Sequence, residues 1–162
     1  MRFSASAVTL TAVLLANGAS AQGPPWLSFS KLERSLARHD FTVDVDFVAR
    51  NGHLDWIATR TDREKGQPAR TSWADSDACP AMLPAFARLQ SIEPFRIAPP
   101  GIRDGASGVI LDGDYYEIHA HGYWAQADRD GEIVISGNSG PVMTWVEDTM
   151  KVLAPCWSKK QP

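Results

Sequence analysis

The sequence lacks the features that mark several specialised classes of protein. Only two of its 162 residues are cysteines, and 16 basic against 19 acidic residues leave a formal net charge of -3. Without a positive excess, binding to nucleic acid or to an anionic membrane surface is not expected. No apolar run approaches the roughly 20 residues of a membrane-spanning helix. With 44% hydrophobic residues, the chain is instead typical of a globular domain.

The first 21 residues have the pattern of a secretory signal peptide. Arg2 supplies a positive start, residues 7–16 are uncharged and largely apolar, and a small-residue Ala-Ser-Ala site ends at Ala21. A membrane anchor is the alternative, but the apolar stretch is too short to cross a bilayer. The sequence therefore predicts cleavage after Ala21 and one exported domain over residues 22–162, in the periplasm or the extracellular medium.

The two cysteines, Cys79 and Cys156, are far apart in the chain. In an oxidising compartment they are expected to form one disulfide, and two buried free thiols are the alternative. No CxxC or CxxH spacing accompanies them, so neither cysteine-bound zinc nor redox chemistry is indicated. Because the bridge would close a long loop, the chain-entropy description gives it an upper value of about 4.5 kcal/mol.

The N-terminal half is predicted to form a helix followed by a hairpin. Apolar residues spaced three or four apart over residues 29–39 favour a helix. Apolar and polar residues then alternate over residues 41–47, which predicts a strand with one wet face. Asn51-Gly52 is a strong hairpin signal, and residues 53–61 continue as the second strand.

A polar stretch over residues 62–77 is interpreted as a surface loop, and a second helix is predicted after it. Asp77 is a plausible start for this helix, and apolar residues from Met82 to Ile92 have helical spacing. Pro84 has to lie near the first turn, because proline deeper in a helix removes a hydrogen bond and kinks it. Residues 93–105 contain three prolines and are read as an irregular connection.

Three short strands and a last helix are predicted for the C-terminal half. Asp112-Gly113 and Asp130-Gly131 are interpreted as the hairpin turns between these strands. Gly140-Pro141 favours the start of a helix, which Pro155 would end. The predicted elements are strands at residues 109–111, 116–124 and 132–135 and a helix at residues 141–153.

The predicted order of elements is therefore α-β-β-α-β-β-β-α. Short turns between strands imply antiparallel neighbours, and one-sided alternation implies that one face of the sheet packs on a core. We predict an α+β domain with two layers, an antiparallel sheet of about five strands and three helices on one face.

Glu117, His119 and His121 alternate along a predicted strand and form the most specific candidate site. Alternate strand residues share a face about 7 Å apart, so the two imidazoles and the carboxylate could hold zinc. Asp44 or Asp46 would add a ligand if their strand is a neighbour. A sheet face in water carries the same residue types for solubility, and this interpretation is preferred. The sequence therefore predicts no cofactor, with zinc as the alternative.

Two short segments resemble motifs of known families. The spacing of Gly113, His119 and His121 is similar to the first cupin motif, but Gln126 stands where cupins have glutamate and the second motif is missing. Residues 137–141 resemble the nucleophile segment of trypsin-like serine proteases, but the chain is too short for two barrels and provides no base. Neither family is predicted, and residues 137–141 are expected to be a turn before the last helix.

Residues 60–73 form a second candidate, a long loop that carries Arg63, Arg70 and Trp73. Arginine and tryptophan are enriched in binding hot spots, and loops of this length are often functional. A mobile, solvated loop is the alternative.

Three functional hypotheses follow. The leading one is a non-catalytic exported protein that binds an envelope or extracellular protein, for example as an inhibitor or accessory factor. The second is a metal-binding protein or metal-dependent enzyme that uses His119 and His121. The third is a structural subunit of an envelope assembly.

Overall fold

A computed structural model describes residues 24–34, 38–50, 52–92, 113–124 and 129–162. These residues form one antiparallel sheet of six strands and two α-helices that pack against one face of it. The strands are β1 (Leu27–Leu32), β2 (His39–Arg50), β3 (His53–Glu64), β4 (Arg70–Asp75), β5 (Tyr115–Trp124) and β6 (Arg129–Gly137), and the helices are α1 (Met82–Ala87) and α2 (Pro141–Leu153). The strands lie in the spatial order β4-β3-β2-β1-β5-β6.

The first predicted helix is wrong, because residues 27–32 form the strand β1. Leu27 and Phe29 are buried, while Ser28 and Ser30, which alternate with them, are only partly buried. This period of two matches a strand, and the apolar spacing that suggested a helix overlaps with it. β1 lies between β2 and β5 in the middle of the sheet, so its backbone groups are hydrogen-bonded on both sides.

The hairpin of β2 and β3 is confirmed. The paired register runs to Arg50 and His53, and Gly52 has a φ of 82°, in the left-handed region that glycine adopts without strain. Both strands have 12 residues and extend past their other neighbours. β1 pairs only with residues 41–45 of β2, so the end of the hairpin projects from the sheet.

The predicted loop over residues 62–77 is also wrong. β3 continues to Glu64, Gly66 has a φ of 80° in the turn that follows, and β4 then pairs with β3. Alternating small and polar residues made β4 look like a loop, although Ala74 is buried in the core. At the outer edge of β4, Trp73 and Ser158 exchange two backbone hydrogen bonds of 2.8 Å.

The second predicted helix is present but shorter. α1 has six residues and continues into a 3₁₀ turn, Arg88–Ser91. Pro84 is in the first turn of α1, as expected, since the amide that it lacks would be unpaired there. Asp77 does not begin the helix. It lies in an exposed turn, where its backbone N–H donates to Oδ1 of Asp75 at 2.8 Å.

β5 and β6 confirm two of the three C-terminal strands and correct the turn between them. Trp124 pairs with Arg129, so Asp130-Gly131 belongs to β6 and is not a turn. The predicted strand at residues 109–111 lies outside the described residues, as does the whole irregular connection over residues 93–105 before it.

α2 agrees with the predicted helix at residues 141–153 and buries one side on the core. Its Trp145 ring packs on Phe29 with ring centroids 5.2 Å apart. Tyr116 is buried below the helix and donates a hydrogen bond of 2.7 Å from its hydroxyl to Oε1 of Glu147. Burial and this acceptor raise the pKa of Tyr116 to about 12. The hydroxyl therefore stays protonated and fastens α2 to the sheet.

The predicted disulfide is confirmed between Cys79 and Cys156, whose Cα atoms are 5.6 Å apart. It joins the chain just before α1 to the 3₁₀ turn that follows α2, so both helices are linked over the same face. The α+β class is confirmed, with six strands instead of five. The described residues contain two α-helices, not the three that were predicted. None of the described helices is long and apolar enough to span a membrane.

Candidate functional site

One face of the sheet, the apolar face, is only partly covered by the two helices. Leu27, Phe29, Val43, Val45 and Ile118 lie under α1 and α2 and are at most 1% exposed. Beside α1, the described residues leave the same face open, and they line a groove of about 500 Å³ there. This volume is in the range of ligand-binding pockets in proteins.

The walls of this groove are almost entirely apolar. Leu83 and Phe86 of α1 form one side, and Ile133 and Ile135 of β6 form the other. Leu83 is 44% exposed and Ile133 is 45% exposed, so both present large apolar surfaces to solvent. Such side chains lie close together in the groove, which sets them apart from single apolar residues scattered over a surface.

Two tryptophans extend the groove toward the β2–β3 hairpin. Trp26, directly before β1, packs edge to face on Trp56 of β3 with ring centroids 4.7 Å apart. The carbonyl of Trp26 accepts a hydrogen bond of 2.9 Å from the backbone of His121, which holds this residue against β5. Phe47 of β2 packs on the other side of Trp56 at 5.7 Å.

The hairpin continues the apolar surface beyond the body of the sheet. Phe47 is 53% exposed and Leu54 is 62% exposed near the hairpin end. Leu54, Phe47, Trp56, Trp26 and Ile133 together are called the open strip. It crosses β3, β2, β1, β5 and β6, and strand spacings of about 4.8 Å make these five strands about 19 Å wide. Contiguous exposed apolar surface of this kind is typical of an interaction site.

The opposite, polar face carries the predicted metal site. Glu117 and His119 are in contact on β5, with His119 Nε2 2.7 Å from Glu117 Oε1. The second ring nitrogen, Nδ1, is 3.0 Å from Oε1 of Glu132 on β6. His119 is therefore held between two carboxylates, one of which the sequence analysis did not include.

These contacts change the chemistry of His119. Hydrogen bonds to Glu132 and then Glu117 raise the pKa of His119 above its ordinary value, because both favour the charged ring. Metal binding requires the neutral ring, because only that form has a free lone pair, so a raised pKa works against a metal at this position. Asp44 does not reach this cluster, since β1 separates β2 from β5. Among the described residues, no group of three or more His, Cys, Asp and Glu side chains is placed to hold a metal ion.

The residues of the predicted binding loop are not on one loop. Arg63 is near the end of β3, whereas Arg70 and Trp73 are on β4. Arg70 forms an ion pair of 3.6 Å with Glu64 across the turn. Arg63 is paired in register with Asp40 of β2, and Arg70 is paired with Asp62 of β3. Asp62 directly precedes Arg63 on β3. Because consecutive residues of a strand point to opposite faces of the sheet, the two arginines belong to opposite faces.

Part of the open strip can be predicted from the position of two large apolar residues beside a hairpin turn. Phe47 and Leu54 come within four residues of the Asn-Gly turn, where a hairpin has few neighbours to cover its side chains. Large apolar residues at such a position are exposed unless another element packs on them. Ile133 and Leu83 could not be found this way, because their exposure depends on the position of α1.

Comparison of the chain with protein-family models, with curated proteins and with solved structures found no match. The site therefore has to be interpreted from its own geometry.

Proposed function

We propose that the protein is an exported, non-catalytic binding protein that holds an amphipathic helix of an envelope or extracellular protein. The observation that carries this proposal is the groove of about 500 Å³ and its continuation along the open strip. Both present apolar and aromatic side chains on a face that otherwise packs helices. Apolar surface that is left uncovered in a folded domain favours association, because association removes it from water.

A helix fits this surface better than an extended segment. The face already binds α1 and α2, and the open strip has the same chemistry as the part beneath them. A helix satisfies its own backbone hydrogen bonds, so it needs few polar groups from a groove with apolar walls. The width of about 19 Å corresponds to about 13 helical residues, or between three and four turns.

Trp26, Trp56 and Phe47 are the proposed anchors of the partner. Tryptophan and other aromatic side chains provide much of the binding energy in protein interfaces, since each buries a large apolar area without losing many rotamers. The three rings are already packed against each other, which reduces the entropy lost on binding.

Export is the second part of the proposal. The N-terminal pattern supports a signal peptide that is cleaved after Ala21, and the Cys79–Cys156 disulfide supports an oxidising compartment. The mass of the protein isolated from cells tests this part. We expect a mature chain that begins at Gln22 and has no free thiol. A chain that keeps its first 21 residues in the membrane fraction would contradict the proposal.

The partner-binding proposal is tested by crosslinking in intact cells. A photo-reactive amino acid replaces Leu83 in the groove or Val134 on the polar face, and mass spectrometry identifies the attached segment. Val134 is a suitable control because it is 53% exposed and adjacent to Ile133 on the same strand. We expect crosslinks from position 83 alone, to a segment with apolar residues at positions i, i+3 and i+4.

Two matched substitutions complete the test. Ile133→Asp should remove the crosslink, because it places a charge in the groove, whereas Val134→Asp should leave it. Equal crosslinking from both faces would favour a structural subunit of an assembly and contradict the proposal. Crosslinks to lipid, to an extended segment or to nothing at all would contradict it as well.

A further inference from the structure

A second cavity, of about 910 Å³, lies at the opposite end of the sheet from the β2–β3 hairpin. It is found where β1 and β3 end and where β2 and β5 begin. Its charged lining consists of three acids and four bases. The acids are Glu33, Asp40 and Glu64, and the bases are Arg34, Arg38, Arg63 and Lys65.

Two of the three acids accept hydrogen bonds from residues close in the chain. Asp40 accepts a hydrogen bond of 2.9 Å from the backbone of Glu33 on Oδ1 and one of 3.0 Å from Nε of Arg38 on Oδ2. The carboxylate of Glu33 in turn accepts a bond of 2.8 Å from the backbone of His39. These reciprocal bonds join the end of β1 to the start of β2. Arg38 pairs with the charge of Asp40, whereas Glu33 accepts only a backbone N–H and has no cationic partner among the described residues.

The third acid is paired with a base, and three bases of the lining are not paired with an acid. Glu64 is 3.6 Å from Arg70. In contrast, the side chains of Arg34, Arg63 and Lys65 form no ion pair or hydrogen bond with any residue in the described ranges. Within those ranges, these three cations stand against the single carboxylate of Glu33 that has no cationic partner. The unpaired charge of this cavity is therefore net positive, although the whole chain has a net charge of -3.

We propose that this cavity binds a small molecule with at least two anionic groups, carboxylates or phosphates. Arginine recognises both groups through paired N–H donors, and lysine adds a point charge. Arg63 and Lys65 are at the end of β3 and Arg34 follows β1, so the backbones that carry these cations are two strand spacings, about 10 Å, apart. Two separated cations suit a ligand that carries charge at both ends.

The floor of the cavity is formed by the ends of neighbouring strands. Register pairs Arg63 with Asp40 across β3 and β2, and Leu32 with Tyr115 across β1 and β5. Leu32 is 41% exposed and offers apolar contact between the charged ends. Beside it, Arg38 has a φ of 32°, which is unusual for a residue other than glycine and is maintained by the hydrogen bonds of Asp40.

The test is calorimetric titration of the disulfide-bonded protein at low ionic strength with two probes. Citrate provides carboxylates and inorganic pyrophosphate provides phosphates. We expect saturable binding of at least one probe, and the stronger one indicates the source of the natural anion. Affinity should fall as salt is added, because ions screen the exposed charges.

Substitutions decide whether this cavity is the site. Arg63→Ala should weaken binding at least about tenfold, and Arg63→Lys should weaken it less, since the charge remains without the paired donors. Lys151→Ala is the control, because Lys151 is an exposed lysine paired with Asp148 on α2. Binding of neither probe, or equal loss in Lys151→Ala, would overturn the proposal. Ile133→Asp should leave anion binding intact, which separates this inference from the proposed function.

Discussion

The covered and open parts of the apolar face differ in burial although they share residue types. Phe29 on β1 is 1% exposed and packs on the rings of Trp145 at 5.2 Å and Phe86 at 6.4 Å. Phe47, on the same face of the neighbouring strand β2, is 53% exposed, and Trp56 is its aromatic neighbour. A phenylalanine in a sheet is thus a core residue or a surface residue according to whether a helix reaches it.

Element lengths explain this difference. β2 and β3 have 12 residues each and extend about 40 Å. α1 has six residues and α2 has 13, which correspond to about 9 and 20 Å. Two helices of these lengths cannot cover a six-stranded sheet with strands this long. Within the described residues, the helices therefore bury only part of the face, and side chains beyond their reach such as Phe47 are exposed.

The difference between the covered and open parts of the apolar face is tested most directly by the same substitution in each part. Phe29→Ala should lower the free energy of unfolding by about 4 kcal/mol, because it leaves a cavity in the core. Phe47→Ala should lower it by less than about 1 kcal/mol, because the ring is half exposed. Urea denaturation measures both values. A similar loss in the two variants would mean that the open strip is part of the core, and the comparison would fail.

Removing the disulfide should have the next largest effect. Cys79→Ala/Cys156→Ala should destabilise the protein by about 3 kcal/mol, because the bridge restricts the unfolded chain over a loop of 77 residues. Reduction of the wild type should produce the same loss in urea denaturation, while reduction of the double variant should produce no further change. An unchanged unfolding midpoint after reduction would contradict this role for the bridge between the helices.

The polar face should contribute less than either part of the apolar face. The raised pKa of His119 means that the folded protein binds its proton more tightly than the unfolded chain. Its contribution is present below the ordinary histidine value of about 6.5 and is lost as pH rises through the higher folded value. Because the ring is 39% exposed, the effect should stay below about 1 kcal/mol.

This dependence can be measured by urea denaturation at about pH 6, below the ordinary histidine value, and at about pH 9, well above it. The wild type should lose a small part of its stability relative to His119→Gln between these conditions. A gain in relative stability at the higher pH would show that the sign is wrong and that the ring is neutral between Glu117 and Glu132.

Zinc should have the smallest effect of all. His119→Ala/His121→Ala should change stability by less than about 1 kcal/mol, as at ordinary surface positions. Zinc should not raise the melting temperature of the wild type more than that of this double variant, since a tight site would stabilise only the protein that has it. A zinc-specific shift that disappears in the double variant would instead support the metal-binding hypothesis.

Local patterns correctly predicted the elements whose sequence fits only one type of secondary structure. The Asn-Gly turn between β2 and β3, the alternation along β5 and the proline-initiated α2 each combine a period with a matching boundary residue. The 27–32 segment was misread because its apolar residues fit periods of both two and 3.6. β4 was missed because a short edge strand of small and polar residues has little period at all.

The candidate sites were less predictable than the fold. Arg63, Arg70 and Trp73 were predicted to share one loop, but Arg63 is on β3 and the other two are on β4, on the far side of the turn. The histidine face was correct in its alternation, yet its decisive partner, Glu132, came from the register of β6. In both cases the missing information was which strands are neighbours, and a single sequence does not contain it.

By itself, the sequence determined the class of the fold, the Cys79–Cys156 bridge, the long hairpin and the alternation of polar and apolar faces. These properties depend on residues that are close in the chain or, for the bridge, on there being only two cysteines. The tertiary structure alone decided that part of the apolar face is open, that His119 is held by two carboxylates and that three cations share a cavity. The physical reason is that burial and electrostatic pairing depend on which distant elements pack together and how far each one reaches.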